Sequence, residues 1–189
     1  MFCRILLNNI YGYSKDKNEK EITQIQLLKN SKNKILHFSL NRKTNEVNFE
    51  MEKLLIRKIP KKNKSVLNKN EVYFITFEDN KPFIIQPISE LSVLIEEDGM
   101  IVKKKIQELS EGDSVLFYDQ NLNDYYLIDV MEVNSLGDYD NLFIENSDEK
   151  EEDKAESIKE KKKEQMSFDD YIIGAEQHKG LVVNDLLLI

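Results

Sequence analysis

Between residues 1 and 133 the chain alternates short apolar runs with polar clusters. The apolar runs are 3–7, 22–28, 34–40, 46–58, 71–78, 83–86, 91–97, 100–106, 114–118 and 125–133. They are rich in Ile, Val, Phe and Tyr, residues that suit a pleated, half-buried surface. Between them lie clusters with turn chemistry, such as KNSKNK at 29–34, LNRKTN at 40–45, EDNKP at 78–82 and DQNLND at 119–124. Strands this short and this closely spaced predict a mainly β protein, an antiparallel small barrel or sandwich.

One hairpin is readable residue by residue. Asp98-Gly99 is a two-residue turn signal, because a type I′ turn needs positive φ at both central positions. It sets Glu97 opposite Met100, Ile95 opposite Val102 and Val93 opposite Lys104. One face then carries Leu91, Val93, Ile95, Met100, Val102 and Ile106, and the other is mostly polar. Residues 71–78 are expected to pair with 81–86 across Asp79-Asn80, with Pro82 and Pro87 placing the second strand at an edge or ending it.

The pattern breaks at residues 145–166. ENSDEKEEDKAESIKEKKKEQ has no aromatic residue and too little apolar surface to offset its conformational entropy. It reads as a charged linker, or else as an exposed helix supported by Glu–Lys pairs. Residues 167–189 turn apolar again. Ser167 and Asp170 resemble a capping box, which predicts a short helix at 168–178 ending at Gly180. Beyond it Leu181, Val182, Val183, Leu186, Leu187, Leu188 and Ile189 form an apolar end that must fold back onto the β domain or dock on a partner. The expected organisation is a β-rich domain at 1–144, the linker at 145–166 and a C-terminal docking segment at 167–189.

Charge adds a second division. The 189 residues carry a net charge of −8, but residues 1–70 hold 16 Lys/Arg against 6 Asp/Glu while residues 71–189 hold 11 against 29. A basic first third of this kind marks solvated turns or a surface for nucleic acid or an acidic partner. Arg42, Lys43, Arg57, Lys58, Lys61, Lys62 and Lys64 are the candidate nucleic-acid-binding residues. The 18 Asn and many Lys and Ile fit an AT-rich bacterial or phage genome.

Candidate chemistry is thin. Cys3 is the single cysteine, which excludes a disulfide framework and fits a reducing, cytoplasmic setting. With only His37 and His178 besides, a zinc site of Cys and His alone cannot be assembled. No apolar run is long enough for a membrane span. Cys3 and His37 fall in expected strands, and His178 near an expected helix end, without a Ser or Cys partner. Asp138 and Asp140 lack the rest of a calcium loop, and no Gly-rich phosphate loop is present. No catalytic constellation, metal site or cofactor is therefore expected.

One stretch carries a resemblance. DGMIVKKKIQELSEGDSVLFYD, residues 98–119, resembles the strand–turn–strand unit of the Hint fold shared by inteins and hedgehog autoprocessing domains. The matching positions are Asp98, Gly99, Ile106, Glu108, Leu109, Gly112, Asp113, Val115 and Asp119, within 91–133. The resemblance implies a compact, curled β unit. In the family a Cys, Ser or Ala nucleophile precedes the first strand of this unit, and only Ser89 stands near that place. The T-x-x-H motif that assists the first acyl shift is missing after residue 119. GLVVND is similar to a V-V-H-N splice site, but no His precedes Asn184. Three expectations follow. The first is a non-catalytic β-rich interaction module, an accessory subunit or the N-terminal part of a larger assembly, holding a protein partner through 181–189. The others are a nucleic-acid-binding β-barrel and a degenerate Hint-like autoprocessing domain.

Overall fold

The computed structural model describes residues 2–5, 11–13, 19–21, 34–59, 63, 67, 69–78, 82–88, 90–138, 171–176 and 178–189. The protein is mainly β. The strands are β1 (Phe2–Ile5), β2 (Tyr11–Tyr13), β3 (Glu19–Glu21), β4 (Lys34–Asn41), β5 (Glu46–Lys53), β6 (Leu55–Lys58), β7 (Glu71–Phe77) and β8 (Phe83–Pro87). They continue with β9 (Ser92–Glu97), β10 (Met100–Lys105), β11 (Ser114–Asp119), β12 (Asp124–Asp138), β13 (Tyr171–Gly174), β14 (Gly180–Val183) and β15 (Leu186–Leu188). Nearly every run expected from its apolar pattern is a strand, apart from 22–28, which lies outside the described residues, as do the linker residues 145–166.

The strands pair antiparallel in the order β5-β4-β14-β15-β9-β11-β12-β7-β8-β1-β13-β6, with β10 attached, among the described residues, to β9 alone and a separate β2–β3 ribbon. The two ends of that order are neighbours in the chain: only the buried Leu54 separates β5 from β6. The sheet therefore curls until its first and last strands run into each other. The long strand β12 makes the same crossing. Its first half, 124–129, pairs with β11, and from Val130 onward it pairs with β7. Register shifts at Val130/Glu132 and Ser135/Asp138 bend it on the way, as β-bulges do.

Two apolar clusters hold the curl. The larger joins Ile75, Phe77, Phe83, Ile85, Ile128 and Val130 to Leu91, Val93, Ile95, Val115 and Phe117. The smaller gathers Tyr13, Leu36, Phe38, Leu94, Ile101, Leu116 and Tyr118. The β14–β15 hairpin lies between them. Leu181, Val183, Leu186 and Leu188 enter the larger cluster, while Val182, Leu187 and Ile189 enter the smaller. Side chains alternate across a strand, so a strand covered on both faces must be apolar at every position. That is why this run shows no polar alternation.

Two expectations are corrected here. No described residue of 168–178 is helical, and Tyr171–Gly174 is a strand held between β1 and β6. Ser167 and Asp170 lie outside the described residues. Gly180 does not end a helix: it faces Phe38 on β4, and a Cβ there would come within 2.2 Å of the Phe38 ring and 2.5 Å of the Leu188 carbonyl oxygen. The second correction concerns the tail. Leu181, Val182, Val183, Leu186, Leu187, Leu188 and Ile189 are all at most 8% exposed, so they are core and offer no surface to a partner. The hairpin of β7 and β8 forms as expected, with Tyr73 opposite Ile85 and Ile75 opposite Phe83. Pro87 ends β8, which is an interior strand between β7 and β1. No helix among the described residues is long and apolar enough to cross a membrane.

Candidate functional site: the strand–turn–strand motif and its surroundings

The motif residues Asp98, Gly99, Ile106, Leu109, Gly112, Asp113, Val115 and Asp119 build turns or core. Asp98 and Gly99 take φ of 52° and 74°, and the register set by their turn is the expected one, from Met100↔Glu97 to Lys105↔Ser92. The second face of this hairpin is less polar than its sequence suggested, since Leu94 and Ile101 are buried in the smaller cluster. Ile106 and Glu108 bound a single 3-10 turn whose Ile106 and following Leu109 are buried. Gly112 at φ 86° then turns the chain with space around it, so its positive φ is the feature that calls for glycine.

The Gly-Asp step is fastened to β12 where that strand changes partners. Gly112 N–H donates to the Val130 carbonyl at 2.8 Å, and Val130 N–H donates to the Asp113 carbonyl at 2.9 Å. The Asp113 carboxylate accepts from Ser110 N–H at 2.8 Å and from Lys104 Nζ at 2.7 Å. Asp119 accepts from the backbone of Asn121 at 2.8 Å and of Leu122 at 3.3 Å, closing the next turn. These carboxylates satisfy backbone donors in turns. They do not converge on a reacting atom.

The N-terminal strand lies beside a polar hollow that the sequence reading missed. β1 sits between β8 and β13, with Cys3 in register with Pro87 and Ile173. Next to Pro87, Gln86 is fully buried, and its Nε2 donates to the carbonyls of Leu67 at 3.1 Å and Asn70 at 2.8 Å. Asn70 Nδ2 donates back to the Pro87 carbonyl at 3.0 Å. An open hollow of about 410 Å³ is lined by Asn70, Glu71, Tyr73, Pro87 and Gln107. Tyr73 and Ser135 donate to the Glu71 carboxylate at 2.6 Å and 3.0 Å, which holds it below the usual carboxylate range. Burial first, and Glu71 second, push the Tyr73 phenol up to about 12. Neither group is poised for proton transfer near neutrality, and none of the five lining residues is a thiol, hydroxyl-bearing Ser or imidazole. A polar Gln in an otherwise apolar strand run was the one signal of this feature.

The remaining candidates are scattered. His37 is buried and donates through Nδ1 to the Ile35 carbonyl at 2.9 Å, leaving Nε2 without a partner among the described residues. Burial is the main reason its imidazole is held neutral below the ordinary value. Lys179 bridges Glu50 at 2.9 Å and Glu52 at 2.6 Å. The bond from Lys179 is the main cause that lowers the Glu52 carboxyl. His178 takes φ 69° in an exposed turn. Asn184 and Asp185, at φ 48° and 66°, form the two-residue turn of β14–β15. Tyr13 on the β2–β3 ribbon hydrogen-bonds the buried Asp185 carboxylate across the length of the chain.

Of the basic residues, Arg42 and Lys43 sit on the exposed β4–β5 turn, while Arg57 and Lys58 lie on β6 at the far end of the β5–β6 strand. Lys61, Lys62 and Lys64 lie outside the described residues, as do Ser89 and Asp140. Among the described residues no group of three or more His, Cys, Asp or Glu is placed to hold a metal ion.

No family model and no curated protein matches the sequence. Comparison with solved structures finds inteins. One is an intein from a hyperthermophile, with 13% identity, TM-score 0.55, and coverage of 100% of this chain and 98% of that one. Another is a DnaB intein from Synechocystis sp. PCC 6803, with 9% identity, TM-score 0.54, and coverage of 100% and 97%. A third, the TvoVMA intein, has 10% identity, TM-score 0.54, and coverage of 98% and 96%. At these identities the likeness is one of fold, and it extends the resemblance from the 91–133 segment to the whole chain: the protein has a Hint-like β fold.

Proposed function

We propose that this protein is a degenerate Hint-like domain, a scaffold of the autoprocessing fold that acts on other molecules without covalent chemistry. The observation that carries the reading is the full-length likeness to inteins in a chain whose motif residues are spent on turns and core. None of Thr23, Thr44 and Thr76 is followed three residues on by His, so T-x-x-H does not occur in the sequence. Asn184, the residue similar to a splice-site asparagine, is locked between two buried strands. Cyclisation there would sever the chain between β14 and β15, through the turn of a hairpin that lies in the core, which argues against a splice junction at this residue. Fold alone does not carry activity.

The test is the full chain flanked by two reporter domains, incubated with and without a small thiol and hydroxylamine, and followed by intact mass. The expected result is a single unchanged mass in every sample, with Ser89→Ala and Asn184→Ala indistinguishable from the parent. Release or ligation of the flanking domains by the parent protein, lost in either variant, overturns the reading.

A further inference from the structure

We propose that the open edge of β10 binds an extended acidic peptide by strand addition, with Arg42, Lys103 and Lys105 reading its carboxylates. This rests on the edge itself and not on the Hint reading. Among the described residues β10 pairs with β9 alone. The two-residue turn makes Met100 and Glu97 a hydrogen-bonded pair, so residues 100, 102 and 104 bond to β9 and residues 101, 103 and 105 turn their N–H and C=O groups outward. One outward donor is already taken: Ile101 N–H donates to Asn45 Oδ1 at 2.9 Å, from the turn of β4–β5. A side-chain amide oxygen thus stands where an incoming strand would place its carbonyl. It leaves the outward groups of Lys103 and Lys105 as the free part of the ladder.

The charges on this strand are sorted by face. Lys104, on one face, is neutralised by Asp113 at 2.7 Å. Lys103 and Lys105 share the other face, about 6.8 Å apart along the strand. Among the described residues Lys105 has only a long contact of 3.8 Å to Glu90, whose side chain is 88% exposed, a pair worth little in water. Lys103 has no acidic partner among the described residues, and neither does Arg42, on the turn that Asn45 fastens to Ile101; burial first, and the Arg42 charge second, lower the Lys103 ammonium. Two cations brought together without a counter-charge leave a site for an anion.

Lysines on an edge strand also keep sheets from pairing with themselves. That argues against a second copy as the occupant, since two β10 edges would stack their lysines. It does not account for Arg42 being brought up to Lys103. A nucleic acid strand is less suited, because single-strand binding uses aromatic platforms beside the cations. The one large exposed aromatic side chain among the described residues, Tyr126, is on β12. The fitting ligand is an extended segment with carboxylates at alternate positions and a free backbone edge.

The test uses the full chain and a fluorescent peptide of roughly eight residues alternating Glu and Val. Saturable binding at low salt is expected, with the Lys103 and Lys105 amides slowing in hydrogen exchange. Lys103→Glu and Arg42→Glu should each weaken binding about tenfold with circular dichroism unchanged. N-methylating the peptide at the positions facing β10 should weaken it as much, and this arm needs no variant. An oligothymidylate of the same length should not displace the peptide. Absence of binding, indifference to N-methylation, or displacement by the oligonucleotide each overturns the proposal.

Discussion

Two hairpins close on two-residue turns with both residues at positive φ: Asp98–Gly99 joins β9 to β10, and Asn184–Asp185 joins β14 to β15. Their local chemistry is alike, yet β14–β15 is paired on both sides, to β4 on one and to β9 and β11 on the other, while β10 is paired on one side only among the described residues. Position in the sheet explains the difference in sequence. β10 ends in three lysines and exposes Met100 by half. β14 and β15 read GLVV and LLL, because both faces are covered and every side chain is removed from water. A run without alternation therefore marks an interior strand at least as readily as a surface for a partner, and the terminal position of the run says nothing against it.

Substitution should separate the two hairpins most sharply at Gly180. The Phe38 ring and the Leu188 carbonyl already occupy the space of its Cβ, so Gly180→Ala should cost about 3 kcal/mol or more, read as a fall in the urea midpoint. Lys103→Ala on the β10 edge should change stability by less than about 0.5 kcal/mol. Equal effects would mean that β14 is not the tightly packed element described.

A smaller effect should appear with pH. His37 lies opposite Leu181 of β14, and burial lowers its pKa in the fold. In the unfolded chain the imidazole takes a proton near its ordinary value of about 6.5. Below that value the unfolded state binds more protons than the folded state, so the stability this group contributes is present above about 6.5 and is lost as the pH falls through it. Glu50, Glu52 and Lys179 face the same ring and set how far the shift goes. Unfolding midpoints measured from pH 8 to 5 should fall more steeply for the parent than for His37→Gln. Parallel curves would show that the imidazole is not held neutral.

Much of the fold was legible because strands leave a local trace. Ile, Val, Phe and Tyr runs bounded by Asn, Asp and Gly located the described strands of the first 138 residues other than β2 and β3, whose YGY and EKE show no apolar run. Asp98-Gly99 fixed a six-pair register from two residues. The motif around Gly112 and Asp113 pointed to the fold because its turn is bolted to β12, a constraint strong enough to need particular residues. What was not legible depends on distant pairing. Tyr171–Gly174 has neither a clear alternation nor a helical stripe, and its strand state comes from β1 and β6 on either side. Gly180 has the chemistry of a helix stop, and only the Phe38 ring of β4 beside it assigns it to a strand. The bonds of Gln86 to the 67–70 turn, and of Tyr13 to Asp185, join residues with no sequence relation. At the candidate site the family's missing motif was plain from the sequence, but the hollow beside Pro87 was not, because its five lining residues come from three separate segments.

The C-terminal hairpin is internal to a Hint-like sheet. Native-state hydrogen exchange on the full chain tests this directly. The amides of Val182, Leu187 and Leu188 should exchange only with global unfolding, alongside Leu116 and Phe117, while those of Lys103 and Lys105 exchange orders of magnitude faster. Rapid exchange across 181–189 with the rest of the sheet still protected would contradict it.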